Sequence, residues 1–283
     1  MSPPFFSDVF KGVNDLFNKD FYHGTPASVD LETVAKNGVK FNVKAKQLVK
    51  EGPLAANVDA KFFDKVTGLT LTQGWSNSNV LTTKIELAEL TPGLKTELLT
   101  SLVPNISKAA LLNLSFVQPF FTARGNFDLL KGPSFIGDMT LAHESGVVAG
   151  AQFGYDIAAG SLSKYAVALG YGAQDYHLGL NINNDQVTTA TFFQNVSQQL
   201  QVGTRATLNP RQTISNVNIE FATKYLPDPN SQVKARISDA GVVGLSYKQV
   251  LRPGVILGVG TSFDALKLSE PVHKLGWSLS FAL

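Results

Sequence analysis

The segment Lys274-Leu-Gly-Trp-Ser-Leu-Ser-Phe281 decides the fold. Leu275, Trp277, Leu279 and Phe281 share one parity, and Lys274, Gly276, Ser278 and Ser280 share the other. Successive side chains of a β-strand point to opposite faces, so this is a ribbon with one oily side and one wet side. The ribbon recurs along most of the chain. Val39, Phe41 and Val43 alternate with Lys40, Asn42 and Lys44, and Val58, Ala60 and Phe62 with Asn57, Asp59 and Lys61. Leu112, Leu114 and Phe116 alternate with Asn113 and Ser115, and Val233, Ala235 and Ile237 with Gln232, Lys234 and Arg236. Turn pairs such as Asn37-Gly38, Pro92-Gly93, Gly132-Pro133 and Pro253-Gly254 separate the runs. At roughly 13–14 residues per strand and turn, residues 27–283 make about 18–20 strands.

A sheet this large must decide what its oily face meets. Turned inward, that face would line a single barrel too wide for its side chains to fill, and no domain boundary divides the chain into sandwiches. Turned outward, it needs hydrocarbon, and closing the ring satisfies the strand edges. The predicted fold is therefore an all-β transmembrane barrel with a wet interior. Composition agrees: 44% of the 283 residues are apolar and only 16% charged. No run of 18 apolar residues exists, which excludes a spanning helix but not spanning strands.

Other function classes fall away. With no cysteine there is no disulfide, thiolate chemistry or cysteine-held metal. The 24 basic and 22 acidic residues are too evenly matched for a protein that binds nucleic acid through a basic field. The chain has no phosphate loop, no dinucleotide fingerprint and no His-Glu zinc motif, and its four histidines are scattered. Neither a catalytic constellation nor a cofactor site is expected.

Residues 1–26 read differently. Ser7 is the expected helix N-cap, with Val9, Val13, Leu16 and Phe17 at helical spacing behind it. The segment lacks both a secretory signal and an Arg-rich transit peptide. So short a helix must lean on something: the membrane surface, the barrel interior or an ordinary packed core. Two lysines and two aspartates give little attraction to anionic lipid, which favours docking in the barrel. Gly24-Thr25-Pro26 then reads as a hinge.

About 19 strands spaced ~4.8 Å apart and tilted ~40° make a backbone ring roughly 35–40 Å across. Lining side chains and a ~10 Å helix leave an opening on the order of 15 Å. Expected inward bases include Lys40, Lys44, Lys61, Lys84, Lys95, Arg124, Lys164, Arg205, Lys224, Lys234, Arg236 and Lys274. Asp30, Glu32, Asp59, Glu86, Glu97, Asp128, Asp138 and Glu220 are the expected inward acids. Such a mixed wall gives mild selectivity for anions.

Specific runs resemble one family. Tyr225-Leu-Pro-Asp228-Pro-Asn-Ser231-Gln-Val-Lys-Ala235-Arg-Ile-Ser-Asp239 with Gly244-Leu-Ser-Tyr247 resembles the signature of the eukaryotic porins. Asn18-Lys-Asp-Phe-Tyr-His23 and Arg252-Pro-Gly-Val-Ile-Leu-Gly-Val-Gly260 are similar to it as well. The resemblance runs from Ser7 to Phe281 and points to the voltage-dependent anion channels of the mitochondrial outer membrane, the yeast porins above all. It implies nineteen strands, the number generally cited for this family. It also implies parallel pairing of first and last strands, near Val29–Thr33 with Leu275–Phe281, and a helix inside the pore.

The resemblance further implies a voltage-gated channel for ions and anionic metabolites, among them ATP, ADP, phosphate and respiratory substrates. Membrane lipids, the import and sorting machinery and a homo-oligomer in the membrane are its implied partners. Asp15, Lys19, Lys61, Lys84 and Lys95 match positions tied to selectivity or gating. Gly93-Leu94-Lys95 matches a short motif proposed for nucleotide contact, although a turn entering a strand explains Gly93 equally well. Lys274, Gly276, Leu279 and Phe281 match a sorting signal. Gln73 shares the lipid-facing parity and stands where animal relatives often carry Glu, keeping polarity without charge. A protein-conducting barrel and a soluble β binding protein are the rival readings.

Overall fold

The alternating ribbons form a single sheet of nineteen strands. The computed structural model describes residues 2–49, 52–130, 134–212, 217–270 and 272–283; the turn expected at Gly132-Pro133 lies outside the described residues. The first strands are β1 Ala27–Val34, β2 Lys40–Gln47, β3 Leu54–Phe63, β4 Leu69–Ser76, β5 Leu81–Thr91 and β6 Leu94–Val103. Next come β7 Ser107–Val117, β8 Phe121–Asp128, β9 Ser134–Ala142, β10 Val147–Asp156, β11 Ser161–Gly172 and β12 Tyr176–Asn183. The ring is completed by β13 Thr188–Asn195, β14 Leu200–Leu208, β15 Val217–Asp228, β16 Ser231–Ser238, β17 Val242–Arg252, β18 Val255–Asp264 and β19 Lys274–Ala282.

Sequence neighbours pair antiparallel throughout, and β1 closes the ring by pairing parallel with β19. The seam sets Ala27–Glu32 against Trp277–Ala282, with Val29 opposite Leu279. Closure leaves no strand edge unpaired, which hydrocarbon requires because it offers backbone groups no hydrogen bond. Turn glycines make the short reversals possible: Gly93 has φ +86° and Gly254 φ +82°. A Cβ on Gly93 would run into the Val117 carbonyl, and one on Gly254 into that of Ala282.

The oily parity faces outward. Trp75, Phe221 and Leu275 stand 61%, 55% and 70% exposed, far beyond what a water-facing core would leave. Gln73 shares that face and accepts a hydrogen bond from Thr83 across the strand pair at 3.3 Å. Each expected inward base of the wall takes the opposite parity, most of them in register with small or polar partners, while Lys40 meets Val34 and Lys84 meets Leu99. The rule fails at several apolar positions. Phe193 points inward onto the helix, and Leu99 and Leu111 pair with each other on the inner face.

The N-terminal helix, α1, spans Lys11–Asn18. The expected Ser7 N-cap is not made. Phe6–Asp8 form a 3-10 turn, Phe10 precedes the helix, and no side chain caps it. The Ser7 hydroxyl is instead within 3.4 Å of Arg124 Nη2, which donates to it from the wall.

Candidate pore lining and N-terminal arm

Apolar residues at helical spacing explain where the arm lies. Val13, Leu16 and Phe17 form a buried cluster with Phe193 on β13 and Ala222 on β15. Phe17 is completely buried, although the helix sits within a wall chosen for wetness. The wall accommodates it with small residues. A Cβ on Gly203 would meet Leu16, one on Gly179 would meet Phe10, and one on Gly170 would meet Val9. Phe6 packs on Ala166 and Ala168 of β11.

Polar contacts fasten both ends. Near the start, the hydroxyls of Thr122 and Thr140 both donate to the Pro4 carbonyl. Arg124 lies 5.4 Å from the Phe5 ring centroid and holds Asp138 through Nη2 at 2.8 Å. At the far end, Lys234 Nζ donates to the carbonyls of Asp15 at 2.8 Å and Lys19 at 2.7 Å. Arg236 donates to the Phe17 carbonyl at 3.2 Å. These cations occupy the end of the helix where the unpaired carbonyls and the negative pole lie. Both also sit about 5 Å from the Phe21 ring, as cation–π contacts.

Beyond the helix, Ser246 donates to the Asp20 carbonyl, and Lys248 pairs with the Asp20 carboxylate at 3.2 Å. Burial opposes ionisation of Asp20, but the Lys248 charge and hydrogen bonds from Gln232 and Lys248 outweigh it and lower its pKa. Tyr22 then lies in a trough on the wall. A Cβ on Gly258, Gly260 or Gly276 would collide with Tyr22 or its backbone. Gly276, quoted from the sequence as part of a sorting signal, thus has a structural duty of its own.

His23 carries a pH dependence. Arg236 lies 3.1 Å from its Nε2, and a guanidinium can only donate, so Nε2 accepts and the ring proton belongs on Nδ1. Burial, then the charges of Arg236 and Lys274, hold this imidazole below its ordinary pKa of 6.5. A lowered imidazole pKa favours docking above the ordinary value, and that contribution is lost as pH falls through the lowered one. A spin label at Lys11→Cys is therefore expected to gain mobility as pH falls below the ordinary imidazole value of 6.5, and His23→Gln to flatten that response.

Following these contacts, the arm runs along the wall from β8 round to β19. The arc from β2 to β7 is left uncovered by the arm. It presents six lysines (Lys40, Lys44, Lys46, Lys61, Lys84, Lys95) against Asp59, Glu86 and Glu97. Adding Asp30 and Glu32 of the adjoining β1 leaves an excess of one positive charge.

The lining bases differ in freedom. Lys84 bridges Glu86 and Glu97 at 3.2 Å each, and Lys95 holds Glu86 at 2.7 Å. Arg205 pairs with Glu220 and stacks on Phe17. Lys19 and Lys224 share a cavity of about 340 Å³ with Lys234 and Lys248. Asp15 is 3.9 Å from Lys11 on the helix. Lys274 is exposed at the start of β19, while Leu279 and Phe281 face outward. Of Gly93-Leu94-Lys95, only Lys95 reaches the interior: Gly93 turns the chain and Leu94 pairs outward with Phe116. Lys46 and Lys248 are inward bases that a list of alternating segments overlooked. Both lie on the wet parity of their strands, which was the signal available. Among the described residues no group of acids and histidines is arranged to hold a metal ion.

A closed membrane barrel with a charged lumen and an arm docked inside it defines a porin-type channel. Residues 2–276 match the family model described as eukaryotic porin, and the chain belongs to that family. It is 67% identical to non-selective voltage-gated ion channel 1 of Saccharomyces cerevisiae, over 99% of both chains. It is 55% identical, over the full length of both, to the mitochondrial outer membrane protein porin of Candida albicans. The Neurospora crassa protein of that same name is 41% identical over 99% of each. Among solved structures, a mutant of Rh. blastica porin superposes with a TM-score of 0.54 at 9% identity, covering 82% of this chain and 92% of that one. At that identity the likeness concerns the fold alone.

Proposed function

We propose that the chain forms a voltage-gated, weakly anion-selective pore for ions and small metabolites (ATP, ADP, phosphate, respiratory substrates) in the mitochondrial outer membrane. One observation carries this reading: nineteen strands close into a ring with their oily parity outward and their charges inward. The small positive excess on the arc from β1 to β7 explains why the preference is slight. Mixed charges at the wall of a wide water-filled pore bias passage without filtering it. Relatives called non-selective fit a wall so nearly balanced.

Voltage sensitivity asks for charge that moves through the field. One elementary charge across 100 mV is worth ~2.3 kcal/mol, so two or three charges give a steep response. The arm, with Lys19 and the segment 24–26 as its hinge, supplies a movable element. Residues 1–26 act as this element and residues 27–283 as the barrel around it. Membrane lipids surround the barrel, Lys274, Gly276, Leu279 and Phe281 serve its sorting, and a homo-oligomer forms in the membrane.

Reversal potential in planar bilayers under a salt gradient tests the selectivity account. Replacing Lys40, Lys44, Lys46 and Lys61 with Glu turns the excess on the arc strongly negative. The variant is expected to prefer cations; an unchanged reversal potential would remove this arc as the source of selectivity. Failure of presequence peptides to block the current separates the metabolite channel from a protein-conducting one.

A further inference from the structure

We infer that the strand seam carries a weak binding site for the phosphoryl group of a permeating anion. The inference rests on the anion-channel reading and locates one station along the path. At the seam the inner face is a small grid. Lys46 on β2 stands opposite Ser28 on β1, which stands opposite Ser278 on β19; Lys44, Asp30 and Ser280 form the adjacent row. With Tyr22 and Thr25 of the arm overhanging them, these residues line a cavity of about 260 Å³.

The donor set suits a phosphoryl group. Two ammonium groups give charge and three serine hydroxyls give directed hydrogen bonds, which together recognise tetrahedral oxyanions. Neither lysine forms an ion pair within 4 Å among the described residues, in contrast to Lys84 and Lys95. Two carboxylates also face the cavity. Asp20 is engaged by Lys248 on β17, and Asp30, whose Oδ1 is buried without a hydrogen-bond partner, lies in register with Lys44. Counting Lys248 with Lys44 and Lys46 against Asp20 and Asp30 leaves one positive charge in excess. One net positive charge makes an anion pause without trapping it, and conduction needs both entry and departure.

A ligand here would touch β1, β2 and β19 together, bracing the parallel seam beneath the arm. The hydroxyls separate this site from general wall charge, because removing them alters no charge. The test is a titration of the folded, isotope-labelled full chain in detergent micelles, followed through the backbone amides of Ser28, Lys46 and Ser278. Inorganic phosphate and ADP are titrated in separate arms, at matched ionic strength against chloride. Saturable shifts confined to the seam are expected. Ser28→Ala/Ser278→Ala/Ser280→Ala should weaken binding about tenfold without altering any charge of the wall.

Binding of ADP without inorganic phosphate would assign the site to nucleotides, and equal binding of both to the phosphoryl group alone. Equal affinity in the triple variant, or shifts spread over every lining lysine, overturns the site. If the triple variant does not close, Ser28→Ala and Ser278→Ala singly should each weaken binding about threefold, and unaltered affinity in both is equally fatal. A parent chain that fails to conduct would instead overturn the channel reading.

Discussion

Replacing Lys234 and Arg236 together with methionine is expected to release the N-terminal arm from the wall. The pair makes three hydrogen bonds to carbonyls at the end of the helix and two contacts to Phe21. A hydrogen bond to a charged donor contributes about 1.5–3 kcal/mol, reduced where water can substitute. Lys234 is only 2% exposed, so water substitutes poorly for it. A net loss of about 3 kcal/mol shifts the ratio of docked to free arm on the order of 100-fold. Methionine fills the space of either stem without leaving a new charge unpaired. The absence of native cysteine makes the readout clean: a single spin label at Lys11→Cys should be more mobile than in the parent chain. Voltage-dependent closure should change in the same variant. A label whose mobility does not change would mean that Val13, Leu16 and Phe17 hold the helix unaided.

Two adjacent residues give the second large effect. Leu112 and Asn113 lie mid-strand in β7, opposite Phe127 and Asn126, on opposite faces. Leu112→Arg puts a guanidinium among acyl chains and is expected to destabilise the barrel by about 2–4 kcal/mol near the midplane. Asn113→Arg puts the same group beside Glu97, which the Asn113 amide already reaches at 3.2 Å. That variant should fold as well as the parent and move the reversal potential toward anions. Denaturant unfolding of both variants in lipid vesicles measures the contrast. Equal destabilisation would deny that one residue faces hydrocarbon and the other water.

The barrel was legible because alternation is local. Leu275, Trp277, Leu279 and Phe281 announce their face without knowledge of any partner, and closure follows from what that face requires. Phe193 breaks the pattern for a reason no local rule contains: the arm, some 180 positions earlier in the chain, covers it. Ion pairing was hidden for a similar cause. Lys84, Glu86, Lys95 and Glu97 alternate correctly in the sequence, yet only the β5–β6 register brings Lys95 onto Glu86. The course of the arm was the least accessible feature. Gly258, Gly260 and Gly276 look like ordinary strand glycines until Tyr22 lies across them. Ser7 was a reasonable cap by residue type, but the pull of Arg124 and the packing of Phe6 delay the helix to Lys11.

Site-directed spin labels read the orientation of the wall most directly. Single cysteines at Ile219, Leu275 and Leu279, and at Lys61, are labelled one at a time in lipid vesicles. Collision rates are then compared for oxygen, which concentrates in acyl chains, and for a water-soluble nickel chelate. Oxygen should dominate at the three apolar sites and the chelate at Lys61. The reverse pattern would turn the barrel inside out and leave no water-lined path for an ion.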